Sequence, residues 1–272
     1  MPFEERGRKG IEMPRKYVNF KIDDKIALVT VDRPPVNALN RQVQDEIGDV
    51  FEEFQRMTDN IGAVIITGAG NKAFIAGADI KMLTELGSDD ALTLSEDFHA
   101  ILNMVEGFDR VVIAAINGLA LGGGSEVALA CDIRVADEGA LFGFPEVGLG
   151  VMPGAGGTQR LARLVGLGKA KELILTGDFI SASEAKSIGL IERIACRGEA
   201  VSEAKKIATR VLLRGPLAVA NAKRAINEGI NLTLTDGLGR EAQLFSELFC
   251  TQDLKEGSRA FLEKRTPKFT GR

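Results

Sequence analysis

The chain has 272 residues, 45% hydrophobic and 26% charged, enough to bury a sizeable core as one large domain or as a domain with an appendage. A formal net charge of −4 advertises no basic face of the kind that non-specific nucleic-acid binding needs. Cys131, Cys196 and Cys250 are an odd, widely spaced set without metal-ligand spacing, which points to reduced thiols in a cytoplasmic protein and to no metal.

Residues 1–16 mix both charge signs and carry no apolar run, unlike a secretory signal, and are expected to form a flexible lead-in. Val18–Phe20 and Ile26–Val31 read as two strands around an Asp23–Asp24 turn, and Pro34 and Pro35 then break the strand pattern. Val43, Ile47, Val50, Phe51, Phe54 and Met57 recur at helical spacing. Ala63–Thr67 and Val111–Ile116 are continuous apolar runs of buried-strand type, with a helix expected over Asp89–Gly107 between them. Strands alternating with helices predict an α/β domain with crossover connections. The apolar run from Val111 to Cys131 is interrupted by Asn117, four glycines and Glu126, so it reads as core and not as a membrane span.

Leu161, Leu164 and Val165 mark a helix after PGAGGTQ. Ser183–Gly189 reads as a short helix stopped by glycine, and Leu190–Ile194 as a last strand. From Glu199 the pattern is helical only. Val201, Ala204, Ile207, Ala208 and Val211 form one stripe, Pro216 opens the next helix, and Leu244, Phe245, Leu248 and Phe249 form an apolar patch. The expected organisation is an α/β core over 17–198 carrying the site and a helical C-terminal region over 199–272.

Two glutamates in apolar, glycine-rich surroundings, Glu126 and Glu146, draw the eye to the chemistry. Burial disfavours the charged carboxylate and raises its pKa, which suits it to proton transfer near neutral pH. Gly122, Gly123 and Gly124 run into the segment carrying Glu126, and bare backbone N–H groups at a helix start receive developing negative charge. Other readings of the same residues are weaker. The ALGGGSE run lacks the dinucleotide-binding fingerprint, and Ser125 stands outside any G-x-S-x-G frame, with His99 the sole histidine available as a base. In the KAFIAGADIKML segment a glycine flanked by small residues either allows close backbone approach to a ligand or makes a tight strand-to-helix turn, with Asp79 as a cap of the helix that follows.

The order of the motifs is more specific than any one of them. AFIAGADIK (73–81), NGLALGGGSEVALACD (117–132), FGFPEVGLGVMPGAGGTQRL (142–161), LTGDFISASEAKSIGL (175–190) and FLEKRTPKF (261–269) resemble the crotonase, or enoyl-CoA hydratase/isomerase, family over nearly the whole chain beyond residue 16. The resemblance implies an α/β fold with a ββα spiral core and a helical C-terminal trimerisation region, in a homotrimer or a dimer of trimers. It implies an acyl-CoA thioester substrate, with coenzyme A as part of that substrate and no separate cofactor.

The implied activity is reversible syn addition of water to trans-2-enoyl-CoA. Glu126 would activate water and Glu146 mainly donate the proton to Cα, although two coupled carboxylates around one water can exchange these roles. Ala78 and Gly123 map onto the backbone oxyanion hole, and Ala76, Asp79, Ile80 and Lys81 onto the thioester and pantetheine path. Phe261 and Lys264 map onto positions that reach the nucleotide of a neighbouring subunit's ligand, a solvated helix face being the alternative for Lys264. The acyl pocket falls to residues between Met82 and Phe108. Keeping both glutamates favours a hydratase over an enoyl-CoA isomerase or a specialised acyl-CoA dehydratase, and the acidic balance lends little to an RNA-binding role.

Overall fold

The computed structural model describes residues 15–272. It opens on two antiparallel strands, β1 (Val18–Asp23) and β2 (Ile26–Val31), joined where Asp24 and Lys25 take positive φ. In α1 (Arg41–Arg56) the expected apolar stripe Val43, Ile47, Val50, Phe51 and Phe54 is buried, and Asn40 caps the helix by accepting the Val43 N–H at 3.0 Å. Residues 1–14 of the expected lead-in lie outside the described residues. Its last two are tied to α1, Arg15 to Glu53 at 2.8 Å and the Lys16 N–H to Glu46 at 2.9 Å.

The chain then repeats a ββα unit. β3 (Ala63–Gly68) and β4 (Ala73–Ala76) lead to α2 (Ile80–Thr84) and α3 (Ser88–Glu106); β5 (Val111–Ile116) and β6 (Leu119–Leu121) lead to α4 (Gly123–Ala130). β7 (Ile133–Asp137) and β8 (Leu141–Gly143) lead to α5 (Gly157–Val165) and α6 (Leu167–Thr176). β9 (Phe179–Ser181), α7 (Ala182–Ser187) and β10 (Arg193–Ala195) complete the spiral before α8 (Ala200–Leu212), α9 (Pro216–Gly229), α10 (Leu234–Glu247) and α11 (Gln252–Leu262). Each unit gives one strand to each of two sheets, a six-stranded sheet in the order β1-β2-β3-β5-β7-β10 and a four-stranded sheet in the order β4-β6-β8-β9.

The continuous apolar runs of β3 and β5 follow from covering the larger sheet on both faces. Val64, Ile66, Val112, Ala114 and Ile116 point to a core shared with α1 and α3. Their neighbours Ala63, Ile65, Val111, Ile113 and Ala115 point the other way, against Ala200, Ala204, Ile207 and Ala208 of α8. The stripe read at the start of the helical C-terminal region thus closes the second face of the sheet.

One expected strand is displaced. Leu190 and Ile191 are both buried, and their N–H groups turn back to the Ala185 carbonyl at 2.8 and 3.3 Å, beyond Gly189 at φ 79°. They are the glycine-stopped end of α7, and the strand begins at Arg193. Among the described residues no helix is long and apolar enough to cross a membrane.

Candidate active site

The register of the smaller sheet decides what meets at its edge. β4 and β6 pair in parallel with Ala76 opposite Leu121, and β6 and β8 pair in parallel with Leu121 opposite Gly143. Just beyond these paired positions come Ala78, Gly123 and Glu146, at the carboxyl ends of three neighbouring strands, where α/β sheets commonly bind ligands. Glu126 stands one helical turn beyond Gly123 on α4. All four residues border one cavity of about 210 Å³, walled mainly by Leu39, Met82, Leu83, Leu86, Leu94 and Phe98.

Leu39 and Ala78 form a parallel bridge. The Leu39 N–H donates to the Gly77 carbonyl at 2.8 Å and the Leu39 carbonyl accepts the Asp79 N–H at 2.7 Å. With the groups on either side of it spent on Leu39, Ala78 turns its own N–H away from the bridge. Gly123 opens α4, so its N–H is one of those with no carbonyl behind it in the helix, at the positive end of the helix dipole.

Gly122 has φ 49° and ψ −119°, a conformation that side chains resist. A Cβ there would lie 2.4 Å from Glu146 Oε1, whereas one on Gly123 would lie 3.9 Å from Glu126 Oε2. The Gly122–Gly123 peptide is therefore flanked by the two carboxylates, one beside each glycine.

The two carboxylates are held differently. Glu126 is 3% exposed, and its Oε1 accepts N–H groups from Ala155 and Gly157, each at 2.8 Å. Burial pushes its pKa up to about 7; the two N–H donors and Arg160 oppose the rise, while the Glu146 charge adds to it. Glu146 follows Pro145 in a 3₁₀ turn over Pro145–Leu149, and burial raises its pKa as well. Its Oε2 is sealed from solvent and, among the described residues, without a hydrogen-bond partner. A buried carboxylate oxygen that the fold leaves unbonded is available to a ligand or a water.

Glu126 also carries a stability prediction. Its pKa is raised in the fold from an ordinary 4.5 to about 7, so the folded state holds the proton more tightly than the unfolded chain. That contribution is complete below pH 4.5 and is lost as pH rises through about 7. Glu126→Gln keeps an oxygen for the two N–H donors and never ionises. It is expected to gain on the parent protein between pH 5 and pH 8, by up to about 3 kcal/mol. Urea unfolding of both proteins at the two pH values measures this, and a difference that stays constant with pH contradicts it.

Several residues singled out in the sequence have other employment. The buried Ser125 hydroxyl bonds the Ala120 carbonyl at 2.6 Å with the Gly143 carbonyl at 3.2 Å, a tie between α4 and the smaller sheet. Asp79 pairs with Arg33 at 2.5 Å and caps α2 by accepting the Lys81 N–H at 3.1 Å; the Arg33 hydrogen bond is the main cause of its lowered pKa. Ala76 is half-buried at the end of β4, whereas Ile80 and Lys81 are exposed on α2. Phe261 and Lys264 are exposed at the end of α11 and do not border this cavity. His99 is half-buried on α3, and burial holds the Cys131 thiol up to about 12, which makes it inert.

The Ala155 and Gly157 donors are not visible in the sequence pattern, where PGAGGTQ serves only to mark a helix start. Their one signal is glycine: a Cβ on Gly157 would lie 2.9 Å from Glu126 Oε1. The same loop is tied to α3, since the Ser95 hydroxyl donates to the Gly154 carbonyl at 2.6 Å. Arg160 bonds the Ala155 carbonyl at 3.3 Å, Asn103 at 2.6 Å and Glu106 at 2.8 Å.

Known proteins share this arrangement of the chain. A short-chain-enoyl-CoA hydratase of Clostridium acetobutylicum is 44% identical over 254 residues, covering 93% of this chain and 97% of the relative. A crotonyl-CoA hydratase of Syntrophomonas wolfei is 44% identical over 260 residues, covering 94% and 99%. The crystal structure of an enoyl-CoA hydratase from Bacillus anthracis superposes with a TM-score of 0.91 at 40% identity, covering 94% of this chain and 100% of that one. The family described as enoyl-CoA hydratase/isomerase matches residues 21–272, and the chain belongs to that family.

Proposed function

We propose that the chain is an enoyl-CoA hydratase, adding water reversibly to a trans-2-enoyl-CoA to give the 3-hydroxyacyl-CoA. The observation that carries this reading is the Gly122–Gly123 peptide flanked by Glu126 and Glu146. The thioester oxygen is held between the N–H groups of Gly123 and Ala78. Attack at Cβ pushes electrons onto that oxygen, and two preorganised donors stabilise the resulting enolate, each worth about 3–4 kcal/mol.

Glu126, its Oε1 already fixed by two N–H donors, has Oε2 free to take a proton from water as the hydroxyl adds to Cβ. Glu146 in its protonated form gives a proton to Cα as the enolate collapses. The raised pKa values of both carboxyls keep one proton within the pair near neutral pH. With both carboxylates beside the peptide that holds the thioester, hydroxyl and proton reach the double bond from one face. After turnover the proton on Glu126 returns to Glu146 through the next water.

Purified protein and crotonyl-CoA test this reading through the loss of 2-enoyl thioester absorbance. Rapid loss with crotonyl-CoA is expected, and no gain of that absorbance from a 3-enoyl thioester. Conversion of the 3-enoyl compound alone would move the protein to the isomerases of its family.

The helical C-terminal region supports a homotrimer or a dimer of trimers. Ile226, Ile230, Leu234 and Phe245 are 70, 69, 79 and 61% exposed along α9 and α10 and line one groove, a clustered apolar surface of the kind that marks an interaction site. In such an assembly Phe261 and Lys264 would meet a neighbouring copy and its coenzyme A. Sedimentation at micromolar concentration is expected to give a trimer or hexamer, and Phe245→Glu a smaller species; a monomeric parent protein would contradict the proposal.

A further inference from the structure

α1 carries a polar side chain that its fold does not use. Glu46 accepts the N–H groups of Lys16, Tyr17 and Val18 at 2.9, 2.7 and 2.8 Å. Arg41 bonds Asp45 at 3.1 Å and also pairs with Asp97 of α3. Gln44, on the same helix, is 4% exposed, yet its amide has no hydrogen-bond partner among the described residues. Such an amide needs a partner from outside the fold, a water or a ligand group, to meet its hydrogen-bonding capacity.

The amide is also not sealed in. Glu146 Oε2 is the buried unbonded side-chain atom among the described residues, so the amide atoms of Gln44 reach open space. The space that Gln44 borders is the same cavity of about 210 Å³, in the company of Leu39, Leu86, Leu94 and Phe98. A polar group therefore opens into a largely apolar cavity, the one that the hydratase reading assigns to the acyl thioester.

We infer that Gln44 selects 2-enoyl thioesters whose acyl tail bears a neutral hydrogen-bonding group, a hydroxyl or a carbonyl. The amide offers two donors and one acceptor, so either group finds a partner. A carboxylate tail is disfavoured: the cavity wall holds Glu126 and Glu146 and no lysine or arginine, so an anion would be buried without a counter-charge. A plain alkyl tail leaves the Gln44 amide unbonded and displaces any water serving it. The inference rests on the hydratase reading of the same cavity and adds the class of acyl tail to it.

The test compares kcat/KM for 2-hexenoyl-CoA with that for its 4-hydroxy, 5-hydroxy and 6-hydroxy derivatives, in the parent protein and in Gln44→Leu and Gln44→Met. Taking the ratio of two substrates within one protein removes any loss of folded enzyme. At least one hydroxylated substrate is expected to be preferred by about tenfold in the parent protein, and that preference to vanish or reverse in both variants. A parent protein that prefers 2-hexenoyl-CoA to every hydroxylated form, or a preference unmoved by both substitutions, overturns the inference. Crotonyl-CoA run on the parent protein separates the two levels. If it is hydrated while the selectivity result is negative, only Gln44's role fails; if it and all the six-carbon substrates are left untouched, the hydratase reading fails.

Discussion

Glu146→Gln is expected to lower kcat for crotonyl-CoA hydration by about 10²–10⁴-fold, the usual worth of a positioned general acid. The amide keeps the size of the side chain but holds no transferable proton. Among the described residues Glu146 Oε2 has no hydrogen-bond partner, so little packing is lost with the charge. KM should therefore move far less than kcat, and the melting temperature should stay near that of the parent protein. Initial rates across a range of crotonyl-CoA concentrations, with a melting curve on the same preparation, read both quantities. A fall in kcat below tenfold would remove Glu146 from proton delivery.

Gly122→Ala is expected to cost about 10² or more in kcat through two coupled displacements. An added Cβ would lie 2.4 Å from Glu146 Oε1, so the carboxylate must swing aside. An alanine at φ 49° and ψ −119° is strained by about 1–3 kcal/mol, and relief of that strain turns the peptide whose N–H belongs to Gly123. Losing one oxyanion donor alone is worth about 10²–10³ in kcat. The atom in the way is the end of a flexible side chain, so the protein should fold with a modest loss of stability. Circular dichroism and steady-state kinetics on the purified variant check this; a folded variant with kcat near that of the parent protein would show that the peptide's orientation is immaterial.

Much of this arrangement is legible in the amino-acid sequence. α1 declares itself because Val43, Ile47, Val50, Phe51 and Phe54 face one core, and burial on one side is what writes a helical period. β3 and β5 show as unbroken apolar runs because both of their faces are covered. The three-residue strands β6, β8 and β9 are not legible, since three residues carry no period. The parallel register of β4, β6 and β8, which brings Ala78, Gly123 and Glu146 together, joins segments far apart in the sequence.

Within the site, Glu126 and Glu146 stand out as carboxylates in apolar sequence, and both border the cavity. The N–H donors of Ala155 and Gly157 do not, because a backbone donor has no side-chain signature and shows only through the glycine that must leave room for it. Gln44 is hidden by its position in the helical pattern of α1, where a glutamine next to Val43 reads as an edge residue. Phe261 and Lys264, carried over by resemblance, lie away from the cavity within one chain, and only a neighbouring copy would give them a ligand to meet.

The most direct measurement is hydration of crotonyl-CoA in D₂O, with the relative configuration at Cα and Cβ of the product read by proton NMR. Hydroxyl and deuteron delivered by Glu126 and Glu146 from one side of the thioester predict a single diastereomer, that of syn addition. Anti addition, or deuterium scrambled at Cα in an otherwise rapid reaction, would contradict water and proton being handled by this pair on one face.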